Sequence, residues 1–311
     1  MNKKGTVMFR FVPTMRCNFR CEYCFVDESI KKNGTTMFDM HSVNEWVDAM
    51  RRFADYDVEL YFWGGEPFCI EGTYDLLREW TKMEHVIPGI RIDTNVFFAD
   101  KIAERCPSNK IKLNCSYHMQ YHTLEEEFEK VKKLKELDMV GMVNFVASKY
   151  NLIHLKTDYG MNVKDLINKF EEIGVFVNVA GDFAYANNPE YERYEEYREF
   201  ILQFISRKEW DWLRGKYKEE RLCTAGQKMF TVGHDGNFSS CISSKSYGNF
   251  FEGVLNTDTE LSLCKKSCPS LVAYPFRCDN DFASFNNLMA YVERNQEYRN
   301  LVRGEYKDFE F

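Results

Sequence analysis

Short runs of β-branched and aromatic residues alternate with helical patterns through the first two thirds of the chain. Such alternation is typical of βα units around a parallel sheet. The runs predict six strands, and the intervening patterns predict helices between them. Because parallel βα units cross over right-handedly, we expect most of an α/β barrel with its site at the carboxyl ends of the strands. The strands are expected near residues 6–12, 57–62, 89–94, 110–116, 140–147 and 175–180.

Two of the intervening helices are particularly clear. Thr123 and Glu126 form a T-x-x-E capping box, which marks a helix start. Each helix carries an apolar stripe at helical spacing, which predicts the face that packs on the sheet. The stripes consist of Val43, Trp46, Val47, Met50 and Phe53 in the first helix, and of Leu124, Phe128, Val131, Leu134 and Leu137 in the second.

Beyond residue 180 the pattern changes. Helical periodicity continues to about residue 214, and cysteines, glycines and turn signals dominate from Leu222 onward. The sequence therefore predicts an α/β fold of two parts: a partial (β/α)6 TIM-like barrel over residues 1–215 and a small cysteine-rich domain over residues 216–311. Metal, more than a large apolar core, is expected to hold the second part together.

The composition narrows the classes of function. With a net charge of −7 and 29% charged residues, the 311-residue chain lacks the basic excess that general nucleic-acid binding requires. The first residues, Met1 to Gly5, run directly into the first predicted strand and do not form a signal peptide. No apolar run reaches the length of a membrane span. We therefore expect a cytoplasmic protein with no membrane partner.

The chain has 11 cysteines, and three of them, Cys17, Cys21 and Cys24, form a C-x3-C-x2-C motif directly after the first predicted strand. Disulfides do not persist in reducing compartments, so clustered cysteines indicate metal binding or catalysis. Three thiolates on one loop suit three corners of an iron-sulfur cluster and leave the fourth iron open. By spacing alone, half of a zinc site is the alternative.

The motif and its context resemble the radical S-adenosylmethionine (SAM) superfamily, with Tyr23 at the aromatic position of its cysteine signature. After the second predicted strand, Gly64-Gly65-Glu66-Pro67 resembles the family's GGEP element, which holds the amino group of SAM. The resemblance implies further cofactor contacts at the ends of strands three to five. These candidates are Thr94, Asn95, Ser116 and Asn144.

The resemblance also implies the chemistry. A 4Fe-4S cluster on Cys17, Cys21 and Cys24 would cleave SAM reductively, and the resulting 5′-deoxyadenosyl radical would abstract hydrogen from a substrate carbon. The family implies a reductant such as flavodoxin or ferredoxin. The cofactor performs the difficult step, and the protein orients the reactants and excludes water.

Five further cysteines follow in the C-terminal part. Their arrangement resembles the SPASM and twitch extensions of the superfamily, which bind auxiliary 4Fe-4S clusters, and five thiols fit one cluster of the twitch type. A zinc ribbon is the alternative. The third and fourth ligands stay undecided, and a spare thiol among the last three is a candidate hydrogen donor to the substrate. The five are Cys223, Cys241, Cys264, Cys268 and Cys278.

The sequence says less about the substrate. His118, which follows the fourth predicted strand, is a candidate substrate contact and catalytic residue. Three hypotheses remain: an enzyme that epimerises or dehydrogenates a polar small molecule, a radical SAM enzyme that modifies a short peptide, and a non-catalytic zinc-binding or electron-transfer protein. Only about five residues precede the first strand, whereas many peptide-modifying relatives carry a peptide-binding domain there, so the small molecule is preferred.

Overall fold

The structure is a computed structural model. It describes residues 3–24, 26–216, 221–241, 245–264, 289, 292–293, 296 and 306–311.

Six parallel strands form the main sheet, and their order in the sheet is their order in the chain. The predicted α/β fold is confirmed, and each predicted strand lies within about a residue of its observed bounds. Each neighbouring pair is parallel and is joined by at least one helix. The strands are β1 (Thr6–Phe11), β2 (Asp57–Phe62), β3 (Ile90–Thr94), β4 (Ile111–Tyr117), β5 (Val140–Ala147) and β6 (Phe176–Gly181).

Helices cover the apolar face of this sheet. A 3-10 turn, Pro67–Cys69, follows β2, and the helices come in chain order after their strands. They are α1 (Glu28–Asn33), α2 (Val43–Arg51), α3 (Glu71–Trp80), α4 (Ala99–Arg105), α5 (Leu124–Glu136), α6 (Lys149–Tyr159), α7 (Val163–Glu171), α8 (Phe183–Ala186), α9 (Tyr194–Ile201) and α10 (Arg207–Leu213).

The capping box and most of the stripes are confirmed. The Thr123 hydroxyl accepts from the Glu126 N–H, and the Glu126 carboxylate accepts from the Thr123 N–H. The stripe of α5 is wrong at its end, because Leu137 lies past the last helical residue and is 38% exposed. One position that the pattern treats as polar, Glu127, is fully buried.

The two faces of the sheet differ in polarity, because side chains alternate along each strand. Phe9, Leu60 and Ile92 are buried in the core against α2 and α3. On the other face, Arg10 lies opposite Tyr61, and Tyr61 lies opposite Arg91. The apolar face therefore carries the core, and the polar face is the inside of the partial barrel.

The C-terminal part contributes six short strands. β8 pairs in parallel with β1, with Phe230 opposite Phe9, and β9 pairs antiparallel with β8. This hairpin extends the main sheet and shares its core. The strands are β7 (Arg221–Cys223), β8 (Met229–Val232), β9 (Phe238–Ser239), β10 (Gly248–Asn249), β11 (Val254–Leu255) and β12 (Ser262–Cys264). Among the described helices, none is long and apolar enough to cross a bilayer.

Candidate active site

The three clustered cysteines lie at the carboxyl ends of the strands, on the loop that follows β1. Cys17, Cys21 and Cys24 line one cavity of about 300 Å³. Side chains and glycines from five neighbouring strand ends line the same cavity, so residues distant in sequence converge there. They include Gly64, Gly65, Glu66, Asp93, Thr94, Asn95, Ser116, His118, Val146 and Gly181.

We call residues 12–24 the cysteine loop and residues 63–66 the glycine loop. Backbone hydrogen bonds join the two: the Gly65 N–H donates to Thr14 O at 3.0 Å, and the Glu66 N–H donates to Arg16 O at 2.8 Å. A Cβ on Gly65 would overlap Arg16 O and lie 2.5 Å from Met15 O. Gly64 also has a φ of +137°, which favours glycine. The glycines are thus required for the approach to the cysteine loop, whereas the sequence suggested an approach to a ligand.

Glu66 joins the glycine loop to the end of β3. Its carboxylate accepts from the Asn95 N–H at 2.7 Å, from the Thr94 hydroxyl at 3.0 Å and from the Phe68 N–H at 3.0 Å. The residue is 1% exposed, and this burial raises the pKa of its carboxyl to about 7. The predicted cofactor residues Glu66, Thr94 and Asn95 therefore form one hydrogen-bonded unit.

Of the remaining predicted cofactor contacts, Asn95 and Ser116 line the cavity and Asn144 is not among its described lining residues. Asn95 Nδ2 donates to Asn18 Oδ1 at 2.8 Å, which ties β3 to the cysteine loop. Ser116 lines the cavity. Asn144 accepts from Asn178 Nδ2 at 2.7 Å on the barrel's inner face, and it is not among the described residues that line the cavity. Its assignment as a cofactor contact stays a prediction.

Residues 118–122, which we call the His118 loop, cover the cysteine loop from the β4 side. The Tyr121 ring stacks on Phe19 with centroids 4.0 Å apart, and the Arg20 N–H donates to the Tyr121 hydroxyl at 2.6 Å. His118 Nδ1 lies 2.7 Å from the Tyr23 hydroxyl. Burial lowers the pKa of His118 to about 4, so its imidazole is neutral at neutral pH.

Lys31, on α1, was not predicted. Its side chain is 4% exposed and lines the cavity, and no carboxylate among the described residues pairs with it. Burial raises the pKa values of Cys17 and Cys21, and the charge of Lys31 offsets a small part of that rise. No signal in the sequence marks this residue, because α1 is short and lacks an apolar stripe.

The thiols and Lys31 together fit an iron-sulfur cluster. Burial, followed by the neighbouring thiols, raises the pKa of Cys21 to about 12, and burial also raises the pKa of Cys17. These cysteines are thus unfavourable as bare thiolates, and ligation to iron would stabilise that form. An anionic set of thiolates would in turn give the buried Lys31 its counter-charge. Among the described residues, no three His, Cys, Asp or Glu side chains lie close enough together to bind one metal ion. A cluster does not need such a group, because each of its thiolates binds a different iron atom.

The C-terminal cysteines are only partly described. Cys223 ends β7, is 2% exposed and packs with Met8 and Met229. Cys241 is exposed in the turn after β9. The backbone of Cys264 pairs with Arg221, two positions along the ladder from the Ser262–Cys223 pair, and its side chain is outside the description. Cys268 and Cys278 lie outside the described residues.

The described part of the chain resembles known proteins over part of its length. Two GTP 3′,8-cyclases of Clostridium perfringens, from strains SM101 and 13, are each 27% identical to it over 164 residues, or 50% of this chain and 49% of theirs. The chain thus spans about half the length of the curated relatives it matches. The crystal structure of Streptococcus suis SuiB bound to precursor peptide SuiA has a TM-score of 0.50 at 15% identity. That match covers 98% of this chain and 74% of SuiB, and it supports the fold alone.

The family model described as "Radical SAM superfamily" matches residues 11–142. This span contains the cysteine loop, the glycine loop, the end of β3 and the His118 loop, which are the parts that surround the cavity. The chain therefore carries a radical SAM domain.

Proposed function

We propose that this chain is a radical SAM enzyme that reductively cleaves SAM and abstracts hydrogen from a carbon of its substrate. The observation that carries the proposal is the shared cavity: three cysteines and the glycine loop face the same 300 Å³ space at the strand ends. When bound, a reduced 4Fe-4S cluster supplies the electron that converts SAM to methionine and a 5′-deoxyadenosyl radical.

The residues of the cavity have different proposed roles in binding the cluster and SAM. Cys17, Cys21 and Cys24 would hold the cluster, and the glycine loop would present its backbone to SAM. Glu66 holds the end of β3 in register with the glycine loop through Thr94 and Asn95. Further contacts to SAM are proposed for Tyr23, Thr94, Asn95 and Ser116.

We propose an auxiliary 4Fe-4S cluster in the C-terminal part. Cys223 and Cys264 lie on two paired antiparallel strands, at opposite ends of a ladder of three residue pairs. They are diagonal neighbours two residues out of register, a relation that places Cα atoms roughly 7–8 Å apart. Cys241 is the third candidate, and Cys268 and Cys278 complete the set from outside the described residues. A zinc site remains the alternative.

The proposed substrate is a polar small molecule. The cavity lining is mainly apolar, and Asp93, Asn95 and Ser116 are among the polar groups within it that a substrate can contact. A second cavity of about 400 Å³ shares Tyr23 with the first and contains Glu22, Lys149 and Glu192. The similarity to cyclases named for GTP also favours a polar metabolite, including nucleotide-like ones.

A short peptide is the second candidate substrate. The second cavity shares Tyr23 with the first and is also lined by Tyr185 and Tyr191, so a peptide is a substrate long enough to contact both cavities. Substrate-dependent formation of 5′-deoxyadenosine with small molecules and with peptides, both chosen from neighbouring genes, would separate the candidates.

Metal analysis tests the proposed function. After anaerobic reconstitution we expect about eight iron and eight sulfide per chain, which corresponds to two cubane clusters. About four iron would remove the auxiliary cluster and leave the radical SAM cluster. Zinc without sulfide would contradict the enzyme and would favour the zinc-binding hypothesis.

Turnover in deuterated water tests the outcome of the reaction. An epimerase would place one solvent deuterium at the inverted carbon through a hydrogen donor such as the spare thiol among Cys264, Cys268 and Cys278. A dehydrogenase would instead release a product that lacks two hydrogens, with the second electron passing to the auxiliary cluster. Alanine at the spare cysteine stops the first reaction and not the second.

A further inference from the structure

His118 contacts the cysteine loop at two atoms. Its Nδ1 lies 3.3 Å from Cys21 Sγ and 2.7 Å from the Tyr23 hydroxyl oxygen. Its ring is nearly parallel to the Tyr23 ring, at 16°, with centroids 5.8 Å apart. The sequence suggested a substrate contact for this residue. The geometry instead directs one nitrogen at a predicted cluster ligand.

The surroundings hold the imidazole in this position. Beyond the contact of Tyr121 with Phe19, the Glu22 N–H donates to Gln120 Oε1 at 3.3 Å. At the other end of the His118 loop, His122 Nδ1 lies 2.9 Å from the buried Glu127 carboxylate. The loop is thus anchored on both sides of His118, and the contact with Cys21 does not depend on a ligand.

The chemistry of the partners assigns the proton. A thiolate that ligates iron only accepts hydrogen bonds, and a phenol oxygen can accept as well. A hydrogen bond between His118 and a Cys21 thiolate bound to iron therefore requires the proton on Nδ1, and the Tyr23 hydroxyl, which lies closer to this nitrogen, competes for that proton as an acceptor. Hydrogen bonds to the sulfurs of an iron-sulfur cluster stabilise its reduced, more negative state and so raise its reduction potential.

We propose that His118 donates a hydrogen bond from Nδ1 to Cys21 Sγ and thereby raises the reduction potential of the radical SAM cluster, with the Tyr23 hydroxyl as a competing acceptor. This inference rests on the proposed function, because it needs the cluster on Cys21. It gives His118 a positioning and tuning role in addition to its place in the cavity lining.

Matched variants test the inference. His118→Phe keeps a ring of similar size against Tyr23 and Phe19 and removes the donor. His118→Asn restores a donor, since its amide nitrogen reaches the place of Nδ1. The potential is measured by redox titration followed by electron paramagnetic resonance, without substrate. The radical SAM cluster is identified as the one whose spectrum changes when SAM is added.

We expect His118→Phe to lower the potential by about 59 mV, which is a tenfold change in a one-electron equilibrium. His118→Asn should recover most of this shift. Tyr23→Phe removes the competing acceptor and should move the potential in the opposite direction. Opposite signs at two touching residues would not arise from a general loosening of the site.

The outcomes are distinguishable from those of the proposed function. A wild-type protein that assembles no iron-sulfur cluster would contradict both. A cluster whose potential is unchanged in His118→Phe, or equally lowered in His118→Phe and His118→Asn, would contradict only the hydrogen bond. Iron content is measured in each variant, and its preservation shows that the shift belongs to the cluster's environment.

Discussion

Cys17, Cys21 and Cys24 lie on a loop that other loops hold in place, whereas Cys223 and Cys241 lie on a short strand and in a turn. The cysteine loop receives backbone hydrogen bonds from the glycine loop and ring contacts from the His118 loop. The C-terminal strands are two to four residues long, and aromatic packing ties them to the barrel. One example is Phe238, whose ring centroid lies 5.0 Å from that of Phe9.

This difference shows where each set of ligands obtains its geometry. The cysteine loop is shaped by the barrel, whose parallel strands deliver their ends to one place. Two- and three-residue strands fix little by themselves, so we expect metal to supply part of the order around Cys223. Loss of the proposed C-terminal metal should therefore leave the cavity of the barrel intact. Substitutions that separate the cysteine loop from the glycine loop should instead disrupt that cavity.

The largest effect is expected from the clustered cysteines. Alanine at Cys17, Cys21 or Cys24 should abolish 5′-deoxyadenosine formation, because a cluster that loses one of its three thiolates no longer binds SAM at its open iron. The measurement is chromatography of the products after reduction with dithionite. Cys106→Ala is the control: the thiol of this buried cysteine donates to Ile102 O of α4, away from the cavity, so this variant should keep the activity. Retained cleavage in any of the three would refute the assignment.

The second largest effect is expected from Gly65→Val. The added Cβ meets the backbone oxygens of Arg16 and Met15, so the glycine and cysteine loops must separate. Overpacking of this kind costs about 1–3 kcal/mol, and both SAM binding and iron content should fall. Gly160→Ala is the control: open space surrounds this glycine, and its φ of +63° costs an alanine roughly 1–2 kcal/mol of stability, while iron content and SAM binding should stay normal. Normal iron and normal SAM binding in Gly65→Val would contradict the contact.

The C-terminal cysteines should give a partial effect. Cys223→Ala and Cys241→Ala should each remove about four iron per chain and lower the melting temperature, because metal binding there is coupled to folding. SAM cleavage without substrate should survive, since its cluster lies on the barrel. Iron analysis and thermal unfolding check this, and unchanged iron in both variants would rule out the auxiliary cluster.

The smallest effect concerns Glu66 and pH. Its pKa rises from 4.5 to about 7 in the folded protein, so the folded state binds more protons than the unfolded state between these values. The free energy of unfolding should therefore fall as pH rises from 4.5 to 7, by roughly 3 kcal/mol at most. Glu66→Gln should flatten this slope in urea unfolding. Glu71→Gln, at an exposed residue paired with Lys101 and Arg105, should leave it unchanged. Equal slopes in wild type and Glu66→Gln would contradict the raised pKa.

Much of the barrel could be predicted because its signals are local. The bounds of β2 and β5 follow from single apolar runs, and the capping box at Thr123 identifies the start of α5. The C-x3-C-x2-C spacing likewise identifies the three cysteines of the cysteine loop as candidate cluster ligands without any knowledge of the cavity. Such features depend on a few neighbouring residues, so the sequence alone carries them.

Other features depend on contacts between side chains of different structural elements. Glu66 reads as a ligand residue in its motif, and only the fold shows that its carboxylate bonds to Thr94 and Asn95. Lys31 and Glu127 read as solvated charges on helices, and both are buried. Glu127 contacts His122 in the loop that precedes α5, and Lys31 lines the cavity of the cysteines. Helical periodicity does not report contacts between a helix and the loop before it.

The central claim is that the cavity of Cys17, Cys21 and Cys24 is the place of reductive SAM cleavage. The most direct measurement incubates the anaerobically reconstituted wild-type protein with SAM and a reductant, and quantifies 5′-deoxyadenosine and methionine. We predict that both products form in equal amounts and only after reduction. Protein that contains iron and sulfide but yields neither product would contradict the account.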